Sequence, residues 1–278
     1  FHCATGWVPP AVFAREAYRH HPTSPLWAAA LADLNLAGEF PGVQPLLARH
    51  PSATAWPSVL LEHGGIGILR LRRPDGRDRV AVGHHFISQP FHRHDDFMDA
   101  QLVAFDRVWL YDLGYPATHD TCWYWEGSWP VHNRGHILDG QDEDIVGSGR
   151  CTLFIDSPAC AALATEGVEG QFQDWRWWTP HAKFHRRLLV LIPTLGDGFA
   201  LVDLYQLRGG TEHWRTLLGP QGEVAFQGAP LESRPGTAAG PDINRNQRDG
   251  VPLSRQALTL IDQIREGQPG SRWTATYT

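Results

Sequence analysis

The chain has 278 residues, a formal net charge of −6, 42% hydrophobic residues and 19% charged ones. That length allows one large domain or one domain plus part of a second, with apolar content sufficient for a sizeable core. The acidic balance argues against a nucleic-acid partner, which selects for a basic surface, but leaves room for an acidic glycan held in a local basic cleft. No run of about 18 apolar residues occurs, so no membrane-spanning helix is expected. The four cysteines (Cys3, Cys122, Cys151, Cys160) are too few for a disulfide scaffold at this length, and no Cys-x-x-Cys pair suggests a thiolate zinc site. Cys151 and Cys160 are candidates for pairing across two adjacent strands. The opening Phe-His-Cys-Ala-Thr-Gly is neither an initiator nor a signal peptide, so the chain reads as processed or excised from something longer.

Residues 1–55 read as helical and 56–278 as an antiparallel β-sandwich. Pro9-Pro10 lead into a short helix ending at His20-His21. Ser24-Pro25 supplies an N-cap followed by proline at the first helical position, and the helix continues to Leu34. A third helical piece runs from Val43 to Ala48. From about Ser58 the segments become short, rich in Val, Ile, Leu, Trp and Phe, and divided by turn residues. Strands are expected at 65–72, 79–88, 100–105, 108–112, 131–138, 151–156, 160–166, 183–192, 199–207, 213–218 and 223–226. Pro74-Asp75-Gly76 and Gly196-Asp197-Gly198 have the composition of hairpin turns. Residues 233–251 read as a long loop and 255–266 as one helix. The fold class is therefore mainly β, a large antiparallel sandwich preceded by a few helices.

Fifteen histidines and twelve tryptophans stand out. His84 and His85 are neighbours in a strand and must face opposite ways, so one of them at most lines a given cleft. In Gln89-Pro-Phe-His-Arg-His-Asp-Asp-Phe, an extended chain places His92 and His94 on one face about 6–7 Å apart, a spacing that suits one metal ligand beside one catalytic base. An apolar strand pair then ends at Asp112 in Tyr-Asp-Leu-Gly-Tyr, and Trp-Pro-Val-His132-Asn133 follows. Two histidines and a carboxylate are a reasonable donor set for zinc or another divalent first-row ion. Asp95 and Asp96 are alternative carboxylates, read as partners of the ligands or as strand-edge charges. No nucleophile elbow, phosphate loop or dinucleotide fingerprint is present; Gly64-Gly65-Ile-Gly67 precedes a strand.

His-Arg-His-Asp, an apolar pair closing in Asp-Leu-Gly-Tyr, then His-Asn and Asp-Gly together resemble the heparinase II/III-like family, a group that also takes in oligoalginate lyases and glucuronyl C5-epimerases. Gly64-Gly-Ile-Gly-Ile-Leu-Arg resembles the first strand of that family's sandwich, and His185-Arg186 with Val202-Asp203 its later core strands. The likeness runs over roughly residues 50–230. It implies an N-terminal α/α-toroid, of which residues 10–50 would be the last helices, followed by a sandwich carrying a structural metal near the cleft. It implies His94, Asp112 and His132 as ligands of one zinc or manganese ion, and His92 as an active-site residue. Asn133 would support its neighbour.

The implied reaction is β-elimination in an acidic, uronate-containing polysaccharide. The uronate carboxylate must be neutralised before the C5 proton leaves, and an acid must protonate the departing oxygen. His92 is the expected base or part of the neutralising set. Tyr115 and Tyr124 are the in-chain candidates for acid, although the family's own tyrosine would lie in the toroid. Arg93, Arg134 and Asn133 are the expected substrate contacts. Since the toroid would largely precede residue 1, the sandwich is expected to act with a separate toroid chain or domain, or to have lost it. Two rival readings stand beside the lyase: a C5-epimerase of the same group, and a non-catalytic, metal-stabilised carbohydrate-binding sandwich. A secreted or periplasmic location follows from the substrate class alone.

Overall fold

A computed structural model describes residues 10–51, 57–72, 78–87, 96–105, 107–114, 125–139, 142–143, 148–167, 182–220 and 222–277. Three α-helices come first: α1 (Pro10–His20), α2 (Pro25–Asp33) and α3 (Val43–Arg49). They share a small core of Ala14, Tyr18, Ala28, Leu31, Val43 and Leu46. Ser24 occupies the N-cap of α2, but its side chain makes no capping hydrogen bond; Pro25 begins the helix without it.

The remainder is built of antiparallel strands. A five-stranded sheet runs in sequence order: β1 (Val59–Leu61), β2 (Ile66–Arg72), β3 (Asp78–His85), β4 (Ala100–Ala104) and β5 (Arg107–Leu110). A four-stranded sheet is ordered β11 (Phe199–Gly209), β10 (Ala182–Pro193), β9 (Ala161–Gly167), β8 (Gly149–Asp156). Between these in sequence, β6 (Gly135–Asp139) pairs with β7 (Asp142–Glu143) and with β12 (Glu212–Arg215). Two small ribbons close the chain, β13 (Val224–Gln227) with β16 (Thr274–Tyr277), and β14 (Glu232–Ser233) with β15 (Arg265–Glu266).

Period-two alternation fixes which faces meet. Leu69 and Leu71 of β2, Val80 and Val82 of β3, and Ala100 and Ala104 of β4 point inward. They meet Ala161 and Leu163 of β9 and Leu189 and Leu191 of β10 in one buried cluster. Each buried leucine contributes about 1.5–3 kcal/mol. At Gly67 the two sheets come so close that an added Cβ would lie 2.4 Å from Leu163 Cδ2, so this glycine serves packing. Ser58 fastens the sheets at one edge: its backbone N–H and hydroxyl both donate to the Asp156 carboxylate, at 3.2 and 2.8 Å.

Most of the expected strands are found within two residues of their predicted limits, and Gly196 makes the positive-φ hairpin turn between β10 and β11. Pro74-Asp75-Gly76 lies outside the described residues. Three expectations are corrected. Residues 255–266 are not one helix: a 3₁₀ run, Leu253–Leu260, gives way to extended chain at Ile261. There Ala238 N–H bonds Ile261 O, Arg234 N–H bonds Ile264 O, and β15 pairs with β14, so ladder bonds to the 232–238 segment replace the helical ones. The expected 131–138 strand starts only at Gly135, because Trp129–Val131 is a 3₁₀ turn with Pro130 in its first positions. Cys151 and Cys160 are both free thiols: β8 and β9 are neighbours, but their register sets Cys151 opposite Thr165.

Candidate metal centre

At one end of the sandwich, chain turns bring acidic and imidazole groups together beneath the surface. Asp96 to Asp99 form a tight turn closed by Asp99 N–H to Asp96 O at 2.8 Å. Met98 takes φ +62° within it, a conformation that costs a non-glycine residue free energy and recurs at functional sites. The turn delivers Asp99 at the head of β4. Beyond β5, Asp112 bends the chain by accepting Gly114 N–H on Oδ1 at 2.6 Å. The third element is the turn that leads from Trp129 into β6 and carries His132.

One donor atom each from Asp99, Asp112 and His132 lies within 4.8 Å of the others. Asp112 Oδ2 is 3.5 Å from His132 Nδ1. His132 is fully buried and Asp99 is 1% exposed. Asp99 Oδ1 accepts the Asn133 N–H at 2.5 Å, whereas Oδ2 is buried with no hydrogen-bond partner among the described residues. A buried carboxylate oxygen without a partner is expensive, and either a proton or a bound cation relieves it. Burial pushes the Asp99 pKa up, opposed by His132 and reinforced by Asp112. Burial would lower the His132 pKa, but the bond to Asp112 and the Asp99 charge outweigh it and raise it. Two carboxylates and one imidazole, close together and largely buried, fit a divalent ion of the zinc or manganese type.

The surroundings hold these groups in place. Asp99 O accepts from His85 N–H at 3.1 Å and from His84 Nδ1 at 2.7 Å. A carbonyl can only accept, so His84 Nδ1 carries a proton and Nε2 takes the Thr165 hydroxyl at 2.8 Å. His84 and His85 point opposite ways, as their adjacency in β3 requires: His84 inward, His85 toward Asp96 at 3.4 Å. Burial lowers the His85 pKa, and Asp96 more than reverses this, leaving it raised. Asn133 Nδ2 donates to Tyr111 O and its Oδ1 accepts Leu218 N–H, each at 2.6 Å. The Thr216 hydroxyl donates to His132 O.

Of the residues nominated from sequence, Asp112 and His132 stand together here. Asn133 and Arg134 are fully buried. The Asn133 amide is engaged by backbone, and Arg134 donates to Gly135 O with its guanidinium 5.9 Å above the Phe97 ring. Both are expected at substrate from the sequence; in the structure they lie fully buried beside His132. His92, Arg93, His94, Asp95, Tyr115 and Tyr124 lie outside the described residues. Asp99 was not anticipated. It is one of three aspartates within five positions, and nothing in their spacing says which is buried. Asp96, read as a ligand partner or edge charge, turns to His85.

No protein-family model matches the sequence, and no curated protein matches it by sequence. Among solved structures, a heparinase III aligns over 79% of this chain and 45% of its own, at 13% identity and a TM-score of 0.44. Heparan sulfate lyase HepC from Pedobacter heparinus aligns over 69% of this chain and 40% of its own, at 12% identity and a TM-score of 0.40. A mutant of that lyase gives 12% identity and a TM-score of 0.41 over 37% of its length. The chain thus spans less than half the length of each. No described helix is long and apolar enough to cross a membrane.

Proposed function

We propose that this chain is a cation-stabilised β-sandwich belonging to a polysaccharide lyase that acts on uronate-containing glycans. The observation that carries the cation reading is the buried Asp99–Asp112–His132 group with its unpartnered Asp99 oxygen. His94, two residues beyond His92 in the sequence pattern, would complete a set of two nitrogens and two oxygens, which suits zinc or manganese. The ion's task would be to join the Asp99, Asp112 and His132 turns.

The lyase reading is supported by the order His92-Arg93-His94, Asp112-Leu-Gly-Tyr115, His132-Asn133 along the sequence. In this reading His92 abstracts the C5 proton, Arg93 neutralises the uronate carboxylate, and Tyr115, Tyr124 or a tyrosine of a toroid protonates the leaving oxygen. A C5-epimerase would break the same C–H bond and return the proton from the other face.

Two measurements test the proposal. Elemental analysis of the purified chain should give one equivalent of zinc or manganese, lost in His132→Ala and Asp112→Asn. Incubation of the chain, alone and with a toroid supplied, with alginate, heparan sulfate and chondroitin should raise near-ultraviolet absorbance as unsaturated uronate forms. Ions in the chain without absorbance on any glycan would exclude the lyase and leave the C5-epimerase, seen as solvent deuterium entering C5, or the metal-stabilised carbohydrate-binding sandwich, which gives no such exchange.

A further inference from the structure

Arg187 comes from the opposite sheet. It sits on β10, on the inward face it shares with Leu189 and Leu191, and its side chain is 1% exposed. A buried guanidinium is tolerated only when its charge and its N–H groups are matched. Asp203 of β11 matches the charge in fork geometry, accepting Nε at 2.9 Å and Nη2 at 2.7 Å. Arg215 donates to the same carboxylate. Nη1 then reaches across to two backbone carbonyls, Met98 O at 2.5 Å and Asn133 O at 2.7 Å. Met98 immediately precedes Asp99, and Asn133 immediately follows His132. One nitrogen therefore ties together the two turns that carry two of the three donors. The Asn133 N–H to Asp99 Oδ1 bond crosses the same gap.

We propose that Arg187, held by Asp203, is the positioning residue that sets the Asp99 and Asn133 turns in register and so shapes the cation site; the inference rests on the cation reading for its last step. Lysine cannot take its place, because one ammonium has no fork to grip Asp203 while bonding two carbonyls. Arg186, the next residue, is exposed, pairs with Glu166 on the outer face, and serves as the control.

The test is made on the whole chain with two readouts, amide hydrogen exchange without metal and zinc affinity by chelator competition. In Arg187→Lys the Asn133 amide should exchange at least about tenfold faster, while the Leu189 and Leu191 amides keep wild-type protection. Zinc affinity should fall about 10- to 100-fold, the range for partners that orient metal ligands. Arg186→Lys should change neither. Wild-type protection at Asn133 in Arg187→Lys overturns the proposal, whatever the zinc titration gives. So does an equal loss of protection at Leu189 and Leu191, which would mean general loosening. If the wild type binds no zinc while Arg187→Lys still frees the Asn133 amide, the brace stands and the cation reading falls.

Discussion

The two ends of the sandwich are held by different physics. Where β2, β3 and β4 face β9 and β10, the interior is leucine, valine and alanine, and cohesion grows with the apolar area buried. Where the loop before β4, the chain after β5 and the turn before β6 converge, the interior holds Asp99, His132, Asn133, Arg134 and Arg187, all nearly or fully buried. Removing a methyl group from the first region leaves a hole and nothing else. Removing one partner from the second strands a charge or a donor, so the loss is steeper and spreads to every group that shared it. The apolar end supplies stability; the polar end commits its side chains to one arrangement.

Leu189→Ala should cost about 2–5 kcal/mol in denaturant unfolding, through lost apolar burial and the cavity it leaves. It should leave zinc affinity within about twofold of wild type, since Leu189 packs in the apolar cluster. If its affinity fell with its stability, the two ends would be one cooperative unit and the contrast would break. Zinc at a hundred times its dissociation constant should stabilise the wild type by about 2.7 kcal/mol, and Asp112→Asn should abolish that increment. Gly67→Ala drives a methyl against Leu163 across the sheet interface and should cost about 1–3 kcal/mol, again without changing zinc binding.

The smallest effect expected is a pH dependence from His84. Burial and then the neighbouring Arg187 hold its pKa well below the ordinary value, with His85 adding to the shift and the bond to Asp99 O opposing it. A histidine depressed in the folded state binds its proton more readily when unfolded. Its contribution is thus complete above about pH 6.5 and is lost as pH falls below that, with a limiting slope of about 1.4 kcal/mol per pH unit. His85 and His132 are shifted the other way, so the comparison must be made against His84→Gln. The stability difference between wild type and His84→Gln should shrink between pH 7 and 5.5. A difference that stays constant would mean that His84 does not titrate on unfolding.

Much of the sandwich was legible because β texture is a local signal: Leu69-Arg70-Leu71-Arg72 alternates and marks its inward face, and the apolar run at 188–192 reads as a strand, though not which of its faces is inward. The 255–266 segment was not, because its composition suits a helix and only the 232–238 chain, distant in sequence, supplies the competing backbone bonds. Asp112 and His132 were nominated by the motifs around them. Asp99 was hidden by Asp95 and Asp96 and by the left-handed turn at Met98, which no residue type there requires. Arg187 was not legible: Arg186 and Arg187 both precede the continuous apolar run at 188–192, so alternation alone sets one arginine on each face, and only packing decides which is inward.

In the proposed site one divalent ion would join the Asp99, Asp112 and His132 turns. Anomalous diffraction from crystals of the chain, recorded on both sides of the zinc absorption edge after equilibration with zinc, tests it most directly. A single strong peak is expected within bonding distance of His132 and of the Asp112 and Asp99 carboxylates. A peak elsewhere, or none with zinc in excess, would contradict it.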